Sequence, residues 1–238
     1  MKISLMATCL GDVIRPEAVK STVLLLRQLG HQVEFLDAQT CCGQPLSNSG
    51  LRDEARKQAE YTLSVFADAE TIVCPSGSCA AMIKVEYPHL FEPGSSQHLA
   101  AQQMADRTFE LTDFLVNHQK QTEFGAAFSG KVAVHYACHL RMLGLTDEVE
   151  QLVSKVKGAE LVEIARQDQC CGFGGSFSVR YPEISTAMVD DKVNCLLQTD
   201  ADVIVSTDTG CLMNIGGRLH RKELLTRTMH IAELLTMK

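Results

Sequence analysis

The sequence predicts an α/β fold built from two pseudo-symmetric repeats, each a small parallel-sheet, Rossmann-like unit with flanking helices. Three observations carry that prediction. Short apolar runs alternate with longer amphipathic stretches, the signature of strand–helix–strand units and a parallel sheet. The alternation occurs twice in 238 residues, enough chain for two units that each bury a core. The cysteines also repeat: Cys9 to Cys41 and Cys138 to Cys170 span the same thirty-two positions, and each pair is followed by a second cysteine and a glycine.

The first repeat, residues 1–124, opens with the apolar run KISLMAT (2–8), short enough for a buried strand. EAVKSTVLLLRQLG (17–30) places apolar residues at 19, 23, 24, 25, 26 and 29 and stops at Gly30, as a helix does. HQVEFLD (31–37) is a second strand, RDEARKQAEYTLSVFADAE (52–70) a second helix and TIVCP (71–75) a third strand. FGAAFSG (124–130), small and flexible, reads as the linker. The second repeat, residues 131–238, begins with the strand KVAVHYA (131–137), the helix DEVEQLVSKVKG (147–158) and the strand AELVEIA (159–165). The helix PEISTAMVDDKVNCLLQ (182–198) and the strand DVIVSTD (202–208) follow. Similarity extends past the cysteine pairs. TIVCPSGSC, ending at Cys79, aligns with VIVSTDTGC, ending at Cys211, and FELTDFLV (109–116) resembles MHIAELLT (229–236).

Composition narrows the function. A net charge of -7 with no basic stripe argues against a nucleic-acid surface, and no apolar run is long enough to span a bilayer. MKISLMATCLGD reaches a cysteine and an aspartate too early for a signal peptide, so a cytoplasmic location is expected. Ten cysteines in a reducing compartment point to metal binding or redox chemistry rather than a disulfide framework.

Placed on the predicted elements, Cys9 and Cys138 follow the first strand of each half, Cys41-Cys42 and Cys170-Cys171 the second, and Cys79 and Cys211 the third. The carboxyl ends of parallel strands share one edge, so four thiols per half are expected to converge there. Two adjacent cysteines can present both sulfurs from a tight turn, with Gly43 and Gly172 supplying a positive φ. Cys79 and Cys211 fall where a helix begins, which favours thiolate. Such donors suit an iron–sulfur cluster, tetrahedral zinc or unaided thiol exchange. Structural zinc usually draws on short C-x2-C pairs, whereas these ligands come from three separated loops that a wider cluster can span. The glycines of CCGFGGSF also offer backbone N–H donors to sulfides.

Other residues have plainer readings. Cys195 is expected in a helix core, and Cys74 is either a buried strand residue or a thiol near the site. His135 and His139 flank Cys138 and could tune a cluster or relay protons, but read first as hydrogen-bonded structural residues; Asp208, a ligand or a cap, reads first as a helix N-cap. The glycines at 172–175 do not complete a dinucleotide fingerprint, and no P-loop, Ser-His-Asp set or HExxH motif occurs. A chain without an organic hydride acceptor moves electrons singly and needs a redox partner.

The paired pattern resembles the cysteine-rich CCG domain family, found in heterodisulfide reductase and in the iron–sulfur subunit of glycolate oxidase. TCLGD, CCGQP, PSGSCA, CCGFGGSFSV and MHIAELL are similar to the short lactate-utilisation branch of that family, which carries both repeats. The resemblance covers essentially the whole chain. It implies an iron–sulfur electron-transfer subunit of a cytoplasmic three-protein system that oxidises L-lactate to pyruvate. Such a component of an L-lactate dehydrogenase complex is incomplete alone and works with a ferredoxin-like iron–sulfur subunit and a third protein. Glycolate oxidation, or a zinc-binding or thiol-redox protein without a cluster, is the alternative. Carried over by position, the implied ligands are Cys9, Cys41, Cys42 and Cys79, then Cys138, Cys170, Cys171 and Cys211. Heterodisulfide reductase members close each motif with C-x-x-C. Here Ser76 and Asp208 stand in place of the extra thiol, which points to four-thiol sites and one or two [4Fe-4S] clusters.

Overall fold

The computed structural model describes residues 1–238. Its first half holds strands β1 (Lys2–Leu5), β2 (Gln32–Phe35), β3 (Ile72–Cys74) and β4 (Thr108–Glu110), and its second half β5 (Ala127–Val134), β6 (Lys157–Val162), β7 (Val203–Ser206) and β8 (Arg227–His230). Every pairing is parallel, and the two sheets share one topology, β2-β1-β3-β4 and β6-β5-β7-β8. The strands at the centre are the most apolar. Ile3, Leu5, Ile72 and Val73, like Val132, Ala133, Val203 and Ile204, are at most 1% exposed, since a strand covered on both faces has no water-facing side.

The helices follow local signals. Pro16 occupies the first turn of the helix Pro16–Gln28, Glu17 and Arg27 complement its dipole, and Gly30 takes φ 81 just beyond it. Its buried face is Ala18, Ser21, Thr22, Leu25 and Leu26, while Leu24 is left exposed. Arg52–Val65 buries Ala55, Ala59 and Thr62, and Pro182–Leu196 buries Ser185, Val189, Val193, Cys195 and Leu196, each with i, i+3/i+4 spacing.

Three features differ from the sequence reading. Each sheet gains a fourth strand, β4 or β8, at the start of the FELTDFLV and MHIAELLT segments. The helix expected over 147–158 ends at Val153, because β6 begins at Lys157 and needs extended backbone on either side of Gly158 (φ 82). Residues 127–130 of the expected linker belong to β5, where they pair with β6 through an irregularity between Ala127 and Gly130.

The halves exchange their last helices. Ile231–Thr236 packs on Pro16–Gln28 of the first half, with Thr236 Oγ1 donating to Ser21 Oγ at 3.0 Å. Arg15 Nε, just before that helix, donates to both carboxylate oxygens of Glu233 at 3.0 Å. Reciprocally, Leu111–Asp113 packs on Glu148–Val153 of the second half, and Asn117 Nδ2, on the π-helical turn Phe114–His118 that continues it, donates to Glu148 Oε1 at 3.1 Å. One apolar cluster of 39 buried residues therefore runs through both halves, from Ile3 and Leu25 to Val205 and Leu235. A second cluster of 17, around Tyr87, Phe66 and Met82, lies in the first half. No helix is long and apolar enough to cross a membrane.

Candidate metal centre

The carboxyl ends of the central strands place the cysteines. After β1 the chain turns through Thr8 (φ 64), whose Oγ1 accepts from Gly11 N at 3.1 Å, and Cys9 opens the helix Cys9–Ile14. Cys138 occupies the equivalent position as the first residue of the 3-10 helix Cys138–Leu143. Both Cys-Cys-Gly turns have the same geometry. Gly43 (φ 86) donates its N–H to Cys41 Sγ at 3.4 Å, and Gly172 (φ 79) donates to Cys170 Sγ at 3.4 Å. This backbone region is strained for any residue with a Cβ, which accounts for the glycine in each turn. Cys79 and Cys211 sit in the first turns of the helices Gly77–Ala81 and Thr209–Arg221.

All eight cysteines line one cavity of about 380 Å³ between the halves. Cys42, Cys79, Cys171 and Cys211 are buried in its floor, Cys41, Cys138 and Cys170 are half-buried, and Cys9 is exposed at the rim. Cys42 Sγ and Cys79 Sγ are 3.3 Å apart.

Within each half the thiols perturb one another as a chain, and each thiol's main perturbing thiols belong to its own half. Hydrogen bonds from Cys42 and Cys9 hold Cys41 well below the usual thiol range, and the Gly43 N–H adds to this. Cys170 is depressed in the same way by Cys138, Cys171 and the Gly172 N–H. Cys79 is lowered by hydrogen bonds from Cys42 and Cys74 against the opposing effect of burial. Cys42 and Cys171, donating to their neighbours and desolvated, are pushed up. Within their sets, Cys41, Cys79 and Cys170 are the thiols whose ionisation the neighbouring hydrogen bonds favour. Cys211 departs from the helix-start expectation. The hydrogen bond from Cys171 lowers it, but burial and the Asp208 carboxylate outweigh this and raise it.

Asp208 caps two helices at once. Its Oδ1 accepts from Gly210 N at 3.1 Å and Cys211 N at 3.4 Å, while its Oδ2 accepts from Ser78 N at 2.9 Å and Ser76 Oγ at 3.2 Å in the first half. The expected N-cap is present, and it also joins the halves beside the buried thiols. Burial opposes its ionisation, but the hydrogen bonds from Ser78 prevail and keep it below the ordinary carboxylate range. Ser76 caps the first-half helix, accepting from Cys79 N at 3.4 Å.

The remaining candidates separate clearly. Cys195 is buried in the helix Pro182–Leu196 within the apolar cluster, as expected. Cys74 ends β3, fully buried, with its Sγ 3.6 Å from the Ser76 carbonyl and close enough to Cys79 to lower that thiol. His139 lines the cavity, its Nδ1 3.6 Å from Cys138 Sγ and its Nε2 3.4 Å from Gln44 Nε2. His135 is not the hydrogen-bonded residue expected from sequence. It is 1% exposed, neither ring nitrogen has a partner, and its donor atom lies with Cys171 Sγ and Cys211 Sγ in a set all within 4.8 Å of one another. Leaving such a group unpaired costs ~1–3 kcal/mol, a cost that a bound group can remove. Four thiols per half, backbone N–H groups aimed at sulfur and an orphaned imidazole together make a donor set that fits a soft metal or a cluster.

Comparison with known proteins gives a consistent result. The cysteine-rich domain family, CCG, matches residues 3–84 and again residues 132–216. The chain is 48% identical over 239 residues to lactate utilization protein A of Bacillus velezensis and 46% identical to that of Bacillus subtilis, covering 100% of both chains in each case. A protein of the same description from Geobacillus kaustophilus is 47% identical over its full length. Among solved structures, a hypothetical protein from Helicobacter pylori superposes with a TM-score of 0.66 at 13% identity, a likeness of fold. The chain is covered completely in that match and spans 49% of the Helicobacter protein.

Proposed function

The chain belongs to the lactate utilization protein A family of cysteine-rich CCG proteins, and from that premise we propose that it is the iron–sulfur electron-transfer subunit of a multi-protein system that oxidises L-lactate to pyruvate. The observation that carries this reading is the single cavity lined by all eight motif cysteines, four from each repeat. In this reading each repeat, residues 1–124 and 131–238, holds one four-iron cluster through its own four thiols.

Oxidation of lactate to pyruvate releases two electrons and two protons. A bound cluster supplies reversible one-electron storage. The chain's own residues do the rest. Cys41, Cys79 and Cys170 provide ready thiolates, and the Gly43 and Gly172 N–H groups direct hydrogen bonds at sulfur. The buried floor of Cys42, Cys79, Cys171 and Cys211 keeps that side of the cavity from water. The rim is open at Cys9, and the helix that Cys9 starts carries Val13 and Ile14 75% and 52% exposed, an apolar approach for a redox partner. That partner is a ferredoxin-like iron–sulfur subunit, with a third protein completing the system.

Anaerobic purification tests the reading directly. The expected preparation is brown, contains iron and acid-labile sulfide, and gives a cluster signal in electron paramagnetic resonance on reduction. A colourless anaerobic preparation with stoichiometric zinc would refute it. In a host that grows on lactate, deletion of the gene is expected to abolish growth on L-lactate while leaving growth on glycolate unchanged.

A further inference from the structure

We propose that His135 is a ligand of the second-half site, binding the metal group through a ring nitrogen beside Cys171 and Cys211 and taking a position that a thiol of that half would otherwise fill. The inference rests on the reading of that cavity as a metal centre and adds to it that the two sites are chemically unlike.

A neutral imidazole has one N–H and one lone pair, and when buried both require a partner. His135 is buried and has neither satisfied. The backbone that carries this ring is fixed on both sides. His135 N donates to Val205 O at 2.8 Å, and its carbonyl accepts from Ser206 Oγ at 2.9 Å. The ring lies beside Cys171 and Cys211, with the three donor atoms within 4.8 Å of one another.

Two comparisons within the molecule separate a ligand from an ordinary core histidine. His230 is equally buried, yet both of its nitrogens are used: Nδ1 accepts from Ala232 N at 3.1 Å, and Nε2 faces Thr207 O at 3.0 Å and Pro75 O at 3.1 Å. At the position equivalent to His135 the first half has Met6, fully buried and apolar, so the fold itself does not require a polar residue there. The first half has Cys74 where the second has Ser206, but Cys74 Sγ already has the Ser76 carbonyl at 3.6 Å. Only the second half thus presents an unpartnered imidazole to its thiols. Imidazole is a suitable donor to iron and to zinc, and a nitrogen ligand in place of all-sulfur coordination raises the potential of an iron–sulfur site.

The test uses the full-length protein, labelled with 15N-histidine, purified anaerobically and studied by pulsed electron paramagnetic resonance, with iron and sulfide measured on the same sample. A strong coupling from directly bonded nitrogen is expected in the wild type and in His139→Gln, and its complete loss in His135→Met, which installs the first-half residue. His135→Gln provides the same reading if the methionine variant does not fold. An iron-loaded wild type with only the weak coupling of a hydrogen bond, or with none, overturns the proposal. So does a strong coupling that survives replacement of His135. Protein that contains no iron counts against the cluster reading alone, and is then loaded with Co(II). A ligand-field spectrum that shifts toward thiolate-only coordination in His135→Met supports the ligand, and an unchanged spectrum overturns it.

Discussion

At the scale of single residues, the two halves solve equivalent problems with different chemistry. Glu110 and His230 occupy matching places in FELTDFLV and MHIAELLT, and each caps the helix that follows. Glu110 Oε2 accepts from Thr112 N at 2.7 Å and Asp113 N at 3.3 Å, but its Oε1 is buried without a partner. Burial outweighs these hydrogen bonds and raises the carboxyl from 4.5 to about 7. The folded protein therefore holds this proton over a range in which the unfolded chain has released it. The stability Glu110 contributes is complete below pH 4.5 and is lost as pH rises through about 7. Glu110→Gln, which keeps an acceptor oxygen and removes the titration, is expected to flatten that decline. By pH 8 the relative gain is on the order of 3 kcal/mol in chemical denaturation. Equal pH slopes for the two proteins would show that Glu110 is not the group responsible.

At the scale of elements, the Cys-Cys-Gly turns share a conformation but differ in what surrounds them. A Cβ on Gly172 would lie 2.8 Å from the Ser185 carbonyl oxygen and 2.9 Å from Met188 Cβ, both fixed by the helix Pro182–Leu196. A Cβ on Gly43 would press only on the Gln58 side chain, at 3.1 Å, with the Ala55 carbonyl oxygen at an ordinary 3.8 Å. Both alanine variants incur ~1–2 kcal/mol for a left-handed backbone, and Gly172→Ala carries a steric cost in addition. Thermal unfolding is expected to show Gly172→Ala lowered well beyond Gly43→Ala, with bound metal falling in the same order; equal shifts would contradict it. These turns were readable in the sequence because the repeat itself announces them: a spacing kept twice implies a geometry kept twice. The central strands were readable for a different reason, since a run such as VIVS has no polar face. β4 and β8 were not, because strands of three and four residues with polar members have almost no periodicity, and their pairing with β3 and β7 is what makes them strands. The part of the site that escaped the sequence is His135, since proximity to Cys138 along the chain says nothing of where a ring points.

At the scale of the whole molecule, the arrangement brings two sets of four cysteines to one cavity. The shared apolar cluster and the exchanged terminal helices fix the halves against each other, and Asp208 ties the two floor helices together at the cavity itself. The strongest effects on each thiol nevertheless come from its own half, through Cys9, Cys41, Cys42 and Cys79 on one side and Cys138, Cys170, Cys171 and Cys211 on the other. On the proposed reading, in which each half holds its own cluster at this shared cavity, the molecule has the layout of a two-site relay. Cys42→Ser and Cys171→Ser distinguish this from one shared group, because each removes a buried thiol of one half at nearly constant volume and leaves the other half's set intact. Each variant is expected to retain a folded far-ultraviolet spectrum and about half of the wild-type iron and sulfide, while the double variant retains almost none. The resonance signals that survive in the two single variants should differ, and their sum should reproduce the wild type. If either single substitution empties the protein of iron, the eight cysteines serve a single group and the relay is excluded.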